Sequence, residues 1–270
     1  MELDGADITH QHLFLGYRPL VVAVPAVHSR EHGELILYHT STPRPVARIS
    51  LKRIGLPAMG SSHVFFTGER ARSRFLPWWQ WPHDRWRRWK NTRREGNVAT
   101  IATEIHMTRI AYAIPRAIHL AAVGTPEHCN IFPTDLHGAT KDGHYLLSLR
   151  HSGKACSQVQ ELGRLALFIM PLNSHREVYD LGHRHGSGLE PATAITSIDG
   201  GWKEHPRPLG AIAAKTLVVM EHADSGIHRI FRCAIEGEEV FKAGPVLAHT
   251  HASPLTWLLH RGLAPETLLR

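Results

Sequence analysis

The sequence predicts a mainly β protein, a β-barrel with inserted helices, and two observations carry this prediction. Segments in which apolar and polar residues alternate recur along the chain, separated by turns rich in glycine, proline and histidine. This pattern is typical of strands joined by tight turns. Short helical stretches interrupt the strands only in the C-terminal half, and antiparallel strands with few helices favour a barrel.

The N-terminal part contains three predicted strands, at 20–27, 33–40 and 46–54. After them the alternation stops, and the segment 75–97 holds five of the seven tryptophans among many arginines. No apolar period emerges there, so the sequence predicts no particular fold for it. We place a domain boundary near Gly96. An N-terminal β-rich elaboration with the Trp/Arg-rich segment then covers residues 1–100, and the barrel domain covers 101–270.

The C-terminal part alternates again from about residue 108. Predicted strands lie at 116–124, 144–150, 164–170, 209–222 and 227–241, and predicted helices at 154–163 and 174–182. In the first helix Ala155, Val159 and Leu162 recur at helical spacing and should form its buried stripe. The last two strands should be joined by a turn over 223–226. The sequence itself shows no internal repeat.

Charge favours anionic partners. The formal net charge is +7, with 22 histidines in addition, and the isoelectric point is about 9.6. Such a surface attracts phosphorylated cofactors, acidic protein surfaces or nucleic acid, and the charge alone does not choose among them. The histidines add positive charge below their usual pKa of about 6.5.

The cysteines and the N-terminus indicate the compartment. Three widely spaced cysteines without a CxxC pair (Cys129, Cys156 and Cys233) are typical of reduced thiols. No apolar run approaches the roughly 20 residues that cross a bilayer, and the first ten residues are polar and acidic. We therefore expect a cytoplasmic protein without a secretory signal or a membrane partner.

The strongest candidate site lies where the strand 144–150 meets the following helix. Alternation places Tyr145, Leu147 and Leu149 on one face of the strand, so Arg150 emerges at its end on the other face. Ser152 and Lys154 follow at the start of the helix, where unpaired amides and the helix dipole attract anions. The residues alone leave two interpretations open: a phosphate site, or a capped surface helix with solvated charges.

Three other features carry competing interpretations. The H-x-H pairs at 10/12, 183/185 and 249/251 fall short of the three or four converging ligands of a zinc site. Cys156 with His151 would be a nucleophile pair, but no third orienting group is apparent. The Trp/Arg segment 78–94 favours packing over the barrel or a dimer partner; a lid, or a nucleic-acid or membrane contact, are the alternatives.

The order of these elements over about residues 108–236 resembles the flavin reductase-like family, whose fold is an FMN-binding split barrel. The resemblance rests on the segment from Cys129 to Pro171 and on Gly226-Ile227-His228, which is similar to the Gly-Asp-His of these reductases. Here Ile227 replaces the acidic residue. The run 133–138, Pro-Thr-Asp-Leu-His-Gly, replaces a stretch rich in serine and threonine.

The resemblance implies a set of site residues. The FMN phosphate would be held by Arg150, Ser152 and Lys154. The residues bordering the isoalloxazine ring would be Asn130, Pro133, Thr134, Asp135 and Leu136. His228 would lie beside the flavin and the nicotinamide, as the residue closest to a catalytic role. Without the resemblance, the segment 130–138 is an irregular turn and His228 a structural histidine at a strand start.

The implied function is that of an oxidoreductase, an NAD(P)H:flavin reductase-like enzyme that transfers hydride from NAD(P)H to bound FMN. Family members are generally homodimers with the flavin near the subunit interface, so a homodimer is expected and a nucleic-acid partner is not. Two rivals remain: a specialised FMN-dependent enzyme acting on an organic substrate, and a non-enzymatic protein that binds flavin or nucleic acid.

Overall fold

Two seven-stranded antiparallel sheets account for most of the strands of this chain. The structure, a computed structural model, describes residues 1–28, 30–39, 44–75, 79, 81–93, 102–183, 190–191 and 197–250. Its strands are β1 (Glu2–Leu3), β2 (Ala6–Asp7), β3 (Leu13–Tyr17), β4 (Leu20–Pro25), β5 (His32–Tyr38), β6 (Pro45–Ile54), β7 (His63–Ser73), β8 (Arg116–Ala117), β9 (His119–Gly124), β10 (Cys129–Thr134), β11 (His137–Ala139), β12 (His144–Arg150), β13 (Arg164–Ile169), β14 (Ile198–Trp202), β15 (His205–Pro208), β16 (Ala213–Ser225), β17 (His228–Val240) and β18 (Ala248–His249). The helices are α1 (Trp81–Thr92), α2 (Ala102–Ala111), α3 (Lys154–Leu162) and α4 (His175–His183), with 3-10 turns at Pro57–Met59 and Leu172–Ser174.

The two sheets have the same topology. The first has the strand order β2-β1-β5-β6-β7-β4-β3 and the second the order β10-β9-β13-β16-β17-β12-β11. When the strands of each sheet are renumbered along the chain from first to seventh, both orders become 2-1-5-6-7-4-3. Every neighbouring pair in both sheets is antiparallel. The repeat that the sequence does not show is therefore present in the topology.

The chain divides into two compact units. One comprises the described residues of Met1–Gly55, His63–Pro115 and His249–Arg270, and the other comprises Leu56–Ser62 and Arg116–Ala248. Each sheet belongs to one unit. Helix α2 belongs to the first unit, so this division differs from the boundary that the sequence suggested near Gly96.

The predicted strands of both halves are present with small shifts at their ends. The segment that resisted prediction contains α1. The described tryptophan side chains in and beside this helix are all more than half exposed (Trp79, Trp81, Trp86 and Trp89). Arg93 stacks over Trp89 with its guanidinium carbon 3.8 Å from the ring centroid. Each of these side chains thus keeps a large exposed surface, and their packing over the barrel or against a dimer partner stays a prediction.

The second sheet is buried on both faces, which holds its strand ends in place. On β9, Leu120 and Ala122 belong to one apolar cluster with Val178 of α4, and their neighbours Ala121 and Val123 belong to another with Val159 of α3. Alternate residues of a strand point to opposite faces, so α3 and α4 cover opposite faces of this sheet. On β12 the prediction that Tyr145, Leu147 and Leu149 share one face is confirmed, since all three lie in the α3 cluster.

Helix α3 differs from its prediction in one buried residue. Cys156 and Val159 are its buried side chains, whereas Leu162 is 49% exposed and its prediction as a core residue is wrong. At about 100° per residue, Leu162 lies on the side of Val159 away from Cys156, so it falls at the edge of the buried stripe that these two residues define. Gly163 terminates it with φ at 64°, and the Gly163 N–H donates to Val159 O. A left-handed residue after the last turn favours glycine.

The hairpin that joins β16 to β17 is tighter than predicted. Ser225 pairs with His228, so the turn consists of Gly226 and Ile227 instead of residues 223–226. Gly226 has a positive φ of 59°, which a two-residue hairpin turn requires and glycine adopts without strain.

Among the described helices, none is long and apolar enough to cross a membrane.

Candidate functional site

Strand pairing brings the two main predicted site residues together. Strands β12 and β17 run antiparallel, so Arg150, the last residue of β12, lies opposite His228, the first residue of β17. Ser148, two residues earlier on the same face of β12, has its Oγ 3.3 Å from His228 Nδ1. The site therefore forms where one strand ends and another begins, at the edge of a well-packed sheet.

His228 is a neutral, buried histidine. Only 1% of it is exposed, and desolvation lowers its pKa from 6.5 to about 4, with the positive charges of Arg150 and His151 adding to the effect. The carboxylate of Asp135 acts in the opposite direction. At neutral pH this ring therefore acts through hydrogen bonds and shape, because it carries no charge.

The turn between β12 and α3 leaves helix amides available to an anion. Gly153 is the N-cap of α3, and no described side chain caps the helix there. The Gly153 N–H donates to Arg150 O at 3.0 Å, which closes the turn after the strand. Ser152 and Lys154 are exposed. The Cys156 N–H already donates to Gly153 O at 3.0 Å. The positive end of the helix dipole, an arginine, a serine and a lysine together make a chemically suitable phosphate cradle.

A second set of contacts fixes α3 against the β16–β17 hairpin. Arg229 donates two hydrogen bonds to the Asp224 carboxylate, at 2.7 and 2.9 Å, and a third to Gln160 of α3. His151 Nε2 lies 3.8 Å from Asp224. The Arg229 hydrogen bonds lower the pKa of Asp224, and they offset a negative charge that would otherwise oppose an anion at this turn.

The predicted ring segment has mixed surroundings. Asn130 Nδ2 donates to Gln158 Oε1 of α3 at 2.7 Å, and Asp135 forms an ion pair with Arg116 at 3.1 Å. Thr134 and Leu136 are buried, so their side chains belong to the core and only their backbone could border a ligand. The Leu136 carbonyl accepts the Ser148 N–H at 2.8 Å, which joins this segment to the strand that carries Arg150.

Sequence reasoning missed several of these contacts. Ser148 shares a face of β12 with Arg150, so alternation could have identified it. Arg116 and Gln158 gave no such signal, because they meet their partners only after the sheet has formed. Sequence motifs give residue types and spacing, whereas these pairs form only through tertiary contacts.

A buried cluster of titratable rings lies in the same unit. His137 Nδ1 is 2.7 Å from the Tyr145 hydroxyl, and the His119 and His137 ring centroids are 4.2 Å apart. Desolvation lowers the pKa of His137 to about 4, lowers the pKa of His119 well below its usual value and raises the pKa of Tyr145. All three rings are consequently neutral near pH 7.

The nucleophile hypothesis is contradicted. Cys156 is buried in the α3 cluster, and desolvation raises its pKa, whereas a reactive cysteine needs a lowered pKa and access to its substrate. Among the residues that the structure describes, no three His, Cys, Asp or Glu side chains converge as metal ligands. His185 and His251 of two H-x-H pairs lie outside the described residues.

Comparison with known structures gives the fold. The NADH:FAD oxidoreductase SgcE6 of Streptomyces globisporus C-1027 matches 58% of this chain and 94% of its own, with a TM-score of 0.50 and 13% sequence identity. An FMN-binding protein from Thermus thermophilus, bound to p-hydroxybenzaldehyde, matches 60% of this chain and 91% of its own, with a TM-score of 0.47 and 18% identity. No family model matches the sequence, and no curated protein is significantly similar to it.

The predicted fold class, an FMN-binding split barrel, is confirmed. The resemblance seen in the sequence agrees with the structural one, since the NADH:FAD oxidoreductase SgcE6 shares this fold. The predicted phosphate residues and His228 occupy neighbouring strand and helix ends in the unit that contains residues 116–248.

Proposed function

We propose that this chain is an FMN-binding oxidoreductase of the flavin reductase type, which accepts hydride from NAD(P)H. The observation that carries the proposal is the pairing of Arg150 with His228 beside the uncapped N-terminus of α3. A phosphate donor set and a buried polar ring at one edge of a split barrel suit a flavin mononucleotide better than an uncharged ligand.

The phosphate half of the site has the clearer fit. Arg150 would bind the phosphate through its guanidinium, Ser152 through its hydroxyl and Lys154 through its ammonium group, with the α3 amides completing the set. Asp224 would not oppose this binding, because Arg229 already neutralises its carboxylate.

The ring half of the site would use fewer side chains than the sequence suggested. Asn130, Pro133 and Asp135 remain partly accessible, and Thr134 and Leu136 would contribute backbone groups. The Asp135–Arg116 ion pair would hold this segment rigid, since both partners are mostly buried and a bidentate-capable arginine limits their motion.

The bound flavin would supply the hydride chemistry, and the protein would supply binding and orientation. His228, held by Ser148, would border the reacting face as a neutral hydrogen-bonding group. A neutral ring there places no positive charge beside the positively charged oxidised nicotinamide. FMN is the cofactor proposed here, with NADH or NADPH as the reductant.

A homodimer is part of this proposal, as the family resemblance implies. The exposed tryptophans of α1 would offer apolar surface to a partner. Sedimentation equilibrium of the purified chain, with and without FMN, measures this directly.

The deciding experiment is an absorbance spectrum of the purified protein with added FMN, followed by anaerobic NADH and then NADPH. We expect a perturbed flavin spectrum that bleaches with at least one nucleotide. Binding without bleaching would indicate a specialised flavoprotein acting on another substrate. An unperturbed spectrum at micromolar protein and FMN would overturn the proposal.

A further inference from the structure

A cavity of about 440 Å³ opens in the unit that contains the first sheet, where β6 begins and β7 ends. The Arg74 N–H, just after β7, donates to Val46 O at 2.9 Å and holds the two strand ends together. The lining residues are Arg44, Pro45, Val46, Ala47, Arg48, Arg72, Ser73 and Arg74. Four of these eight residues are arginines, and all four are exposed.

Three of the four arginines, Arg48, Arg72 and Arg74, bring more positive charge to this cavity than the described carboxylates beside them offset. Arg48 donates a hydrogen bond to Glu34 Oε2 at 2.8 Å. Within the part of the chain that the structure describes, neither Arg72 nor Arg74 has a carboxylate within ion-pair distance. The guanidinium groups of Arg48, Arg72 and Arg74 thus share one cavity, and among the described residues only Glu34 forms an ion pair with one of these three. Such an arrangement attracts a multivalent anion.

Strand register makes the arrangement unfavourable without a ligand. Arg48 lies directly opposite Arg72 across the β6–β7 ladder, and like charges in directly opposite positions destabilise a sheet. The fold does not demand this pairing. In the second sheet, at the start of the sixth strand and the end of the seventh, Lys215 lies opposite Glu238 and donates to its carboxylate.

The remaining lining suits a small organic molecule. Val46 is buried on the face of β6 that also carries Arg48 and forms an apolar floor. Ala47 is buried on the opposite face, Pro45 is partly buried, and Ser73 lies on the facing strand. The volume lies in the range of ligand pockets. Arginine binds phosphate oxygens in a bidentate fork. The arginines would therefore bind the phosphates, and the apolar floor would contact the rest of the ligand.

We propose that this four-arginine cavity binds a small organic di- or triphosphate, such as a nucleoside triphosphate. The site belongs to the unit without the proposed flavin phosphate cradle, so the inference goes beyond the proposed function and does not depend on it. Bound anions would relieve the repulsion between Arg48 and Arg72, and ligand binding would therefore stabilise the unit by mass action.

The test is calorimetric titration of the full-length protein with ATP, AMP and adenosine at low salt, with thermal unfolding in parallel. We expect ATP to bind at least tenfold more tightly than AMP, adenosine to show no binding, and ATP to raise the melting temperature. Arg48→Gln with Arg72→Gln should weaken ATP binding at least tenfold. The matched control is Arg70→Gln, which removes the same charge from β7 outside the cavity and should change the affinity less than twofold.

Two further variants keep the result interpretable. Arg150→Ala with Lys154→Ala should leave ATP binding unchanged; loss there would show that ATP occupies the proposed flavin cradle and would overturn the assignment to this cavity. Arg72→Gln alone should not lower the melting temperature of the ligand-free protein, because it removes a repulsive pair. If Arg70→Gln loses as much ATP affinity as the Arg48/Arg72 double variant, ATP is held by diffuse electrostatic attraction and not by this cavity. Tighter binding of a single-stranded oligonucleotide through Arg48 and Arg72 would indicate a nucleic-acid surface. Either result, or no ATP binding at 1 mM, would overturn the proposal.

Discussion

The two sheets of this chain share one strand order but differ where a cofactor phosphate would bind. In each sheet the seventh strand begins with a buried histidine that pairs with the last residue of the fourth strand: His63 with Pro25, and His228 with Arg150. The second sheet then continues into α3 before its fifth strand, whereas the first passes from Pro25 to β5 in six residues. The topology positions the histidine, and the residues after the fourth strand decide whether a phosphate cradle forms.

Some of these features occur in both sheets, and others occur only at the proposed flavin site. A buried histidine at a strand start occurs in both sheets, so it is compatible with a structural role. The arginine, the serine, the lysine and the helix amides occur together only in the second sheet, among the residues described. Flavin binding should therefore depend on the arginine, the serine, the lysine and the helix amides, and a histidine at this strand start should not be sufficient for it.

The largest expected effect is a loss of folding stability in acid, caused by the buried histidines of the second unit. Desolvation lowers the pKa of His137 and of His228 to about 4, and it also lowers the pKa of His119 and His205. In the unfolded chain these groups take up protons near pH 6.5, so the stability they confer is complete above that pH and is lost as the pH falls towards 4. A shift from 6.5 to about 4 corresponds to roughly 3 kcal/mol for each of the two histidines.

Urea unfolding at pH 7.5 and pH 5 would measure this loss, with fluorescence and circular dichroism as separate probes. His228→Asn should reduce the acid sensitivity, whereas His32→Asn, at an exposed position in the first sheet, should leave it unchanged. The explanation fails if the urea midpoint is the same at both pH values.

The next effect concerns the phosphate cradle itself. Arg150→Ala combined with Lys154→Ala should weaken FMN binding at least tenfold, or about 1.4 kcal/mol, because two charge-assisted contacts are lost. Arg30 lies in the connection after the fourth strand of the first sheet, so Arg30→Ala is the matched control and should leave the affinity unchanged. Fluorescence titration of FMN gives both values. Wild-type affinity in a folded double variant would remove these residues from the site.

The smallest effect compares the two histidines. His228→Ala should slow the anaerobic reduction of bound flavin by NAD(P)H about fivefold, close to 1 kcal/mol, and should change FMN affinity less. His63→Ala removes the corresponding histidine of the first sheet and should leave the reduction rate as it was. Stopped-flow absorbance measures the rates, and circular dichroism confirms that both variants fold. Equal rates for all three proteins would return His228 to a structural role.

The sequence was a reliable guide where local rules dominate. Alternation on β12 identified which residues share a face, and the residues between Arg150 and Lys154 marked a strand end and a helix start, because these signals come from neighbours in the chain. Helix α1 escaped prediction, since its tryptophans face outward and give no amphipathic period. Leu162 was misassigned because the buried stripe of α3 is centred between Cys156 and Val159, which leaves Leu162 at its edge.

The sequence alone determined the mainly β class, the positions of most strands and the residue types of the proposed phosphate cradle, because each depends on local pattern. Only the tertiary structure decided that Arg150 meets His228, that Asp135 is held by Arg116 and that two sheets share one order. It also placed Arg48 opposite Arg72. Register between distant strands sets all these contacts, and it is fixed by the packing of whole sheets and not by any single segment.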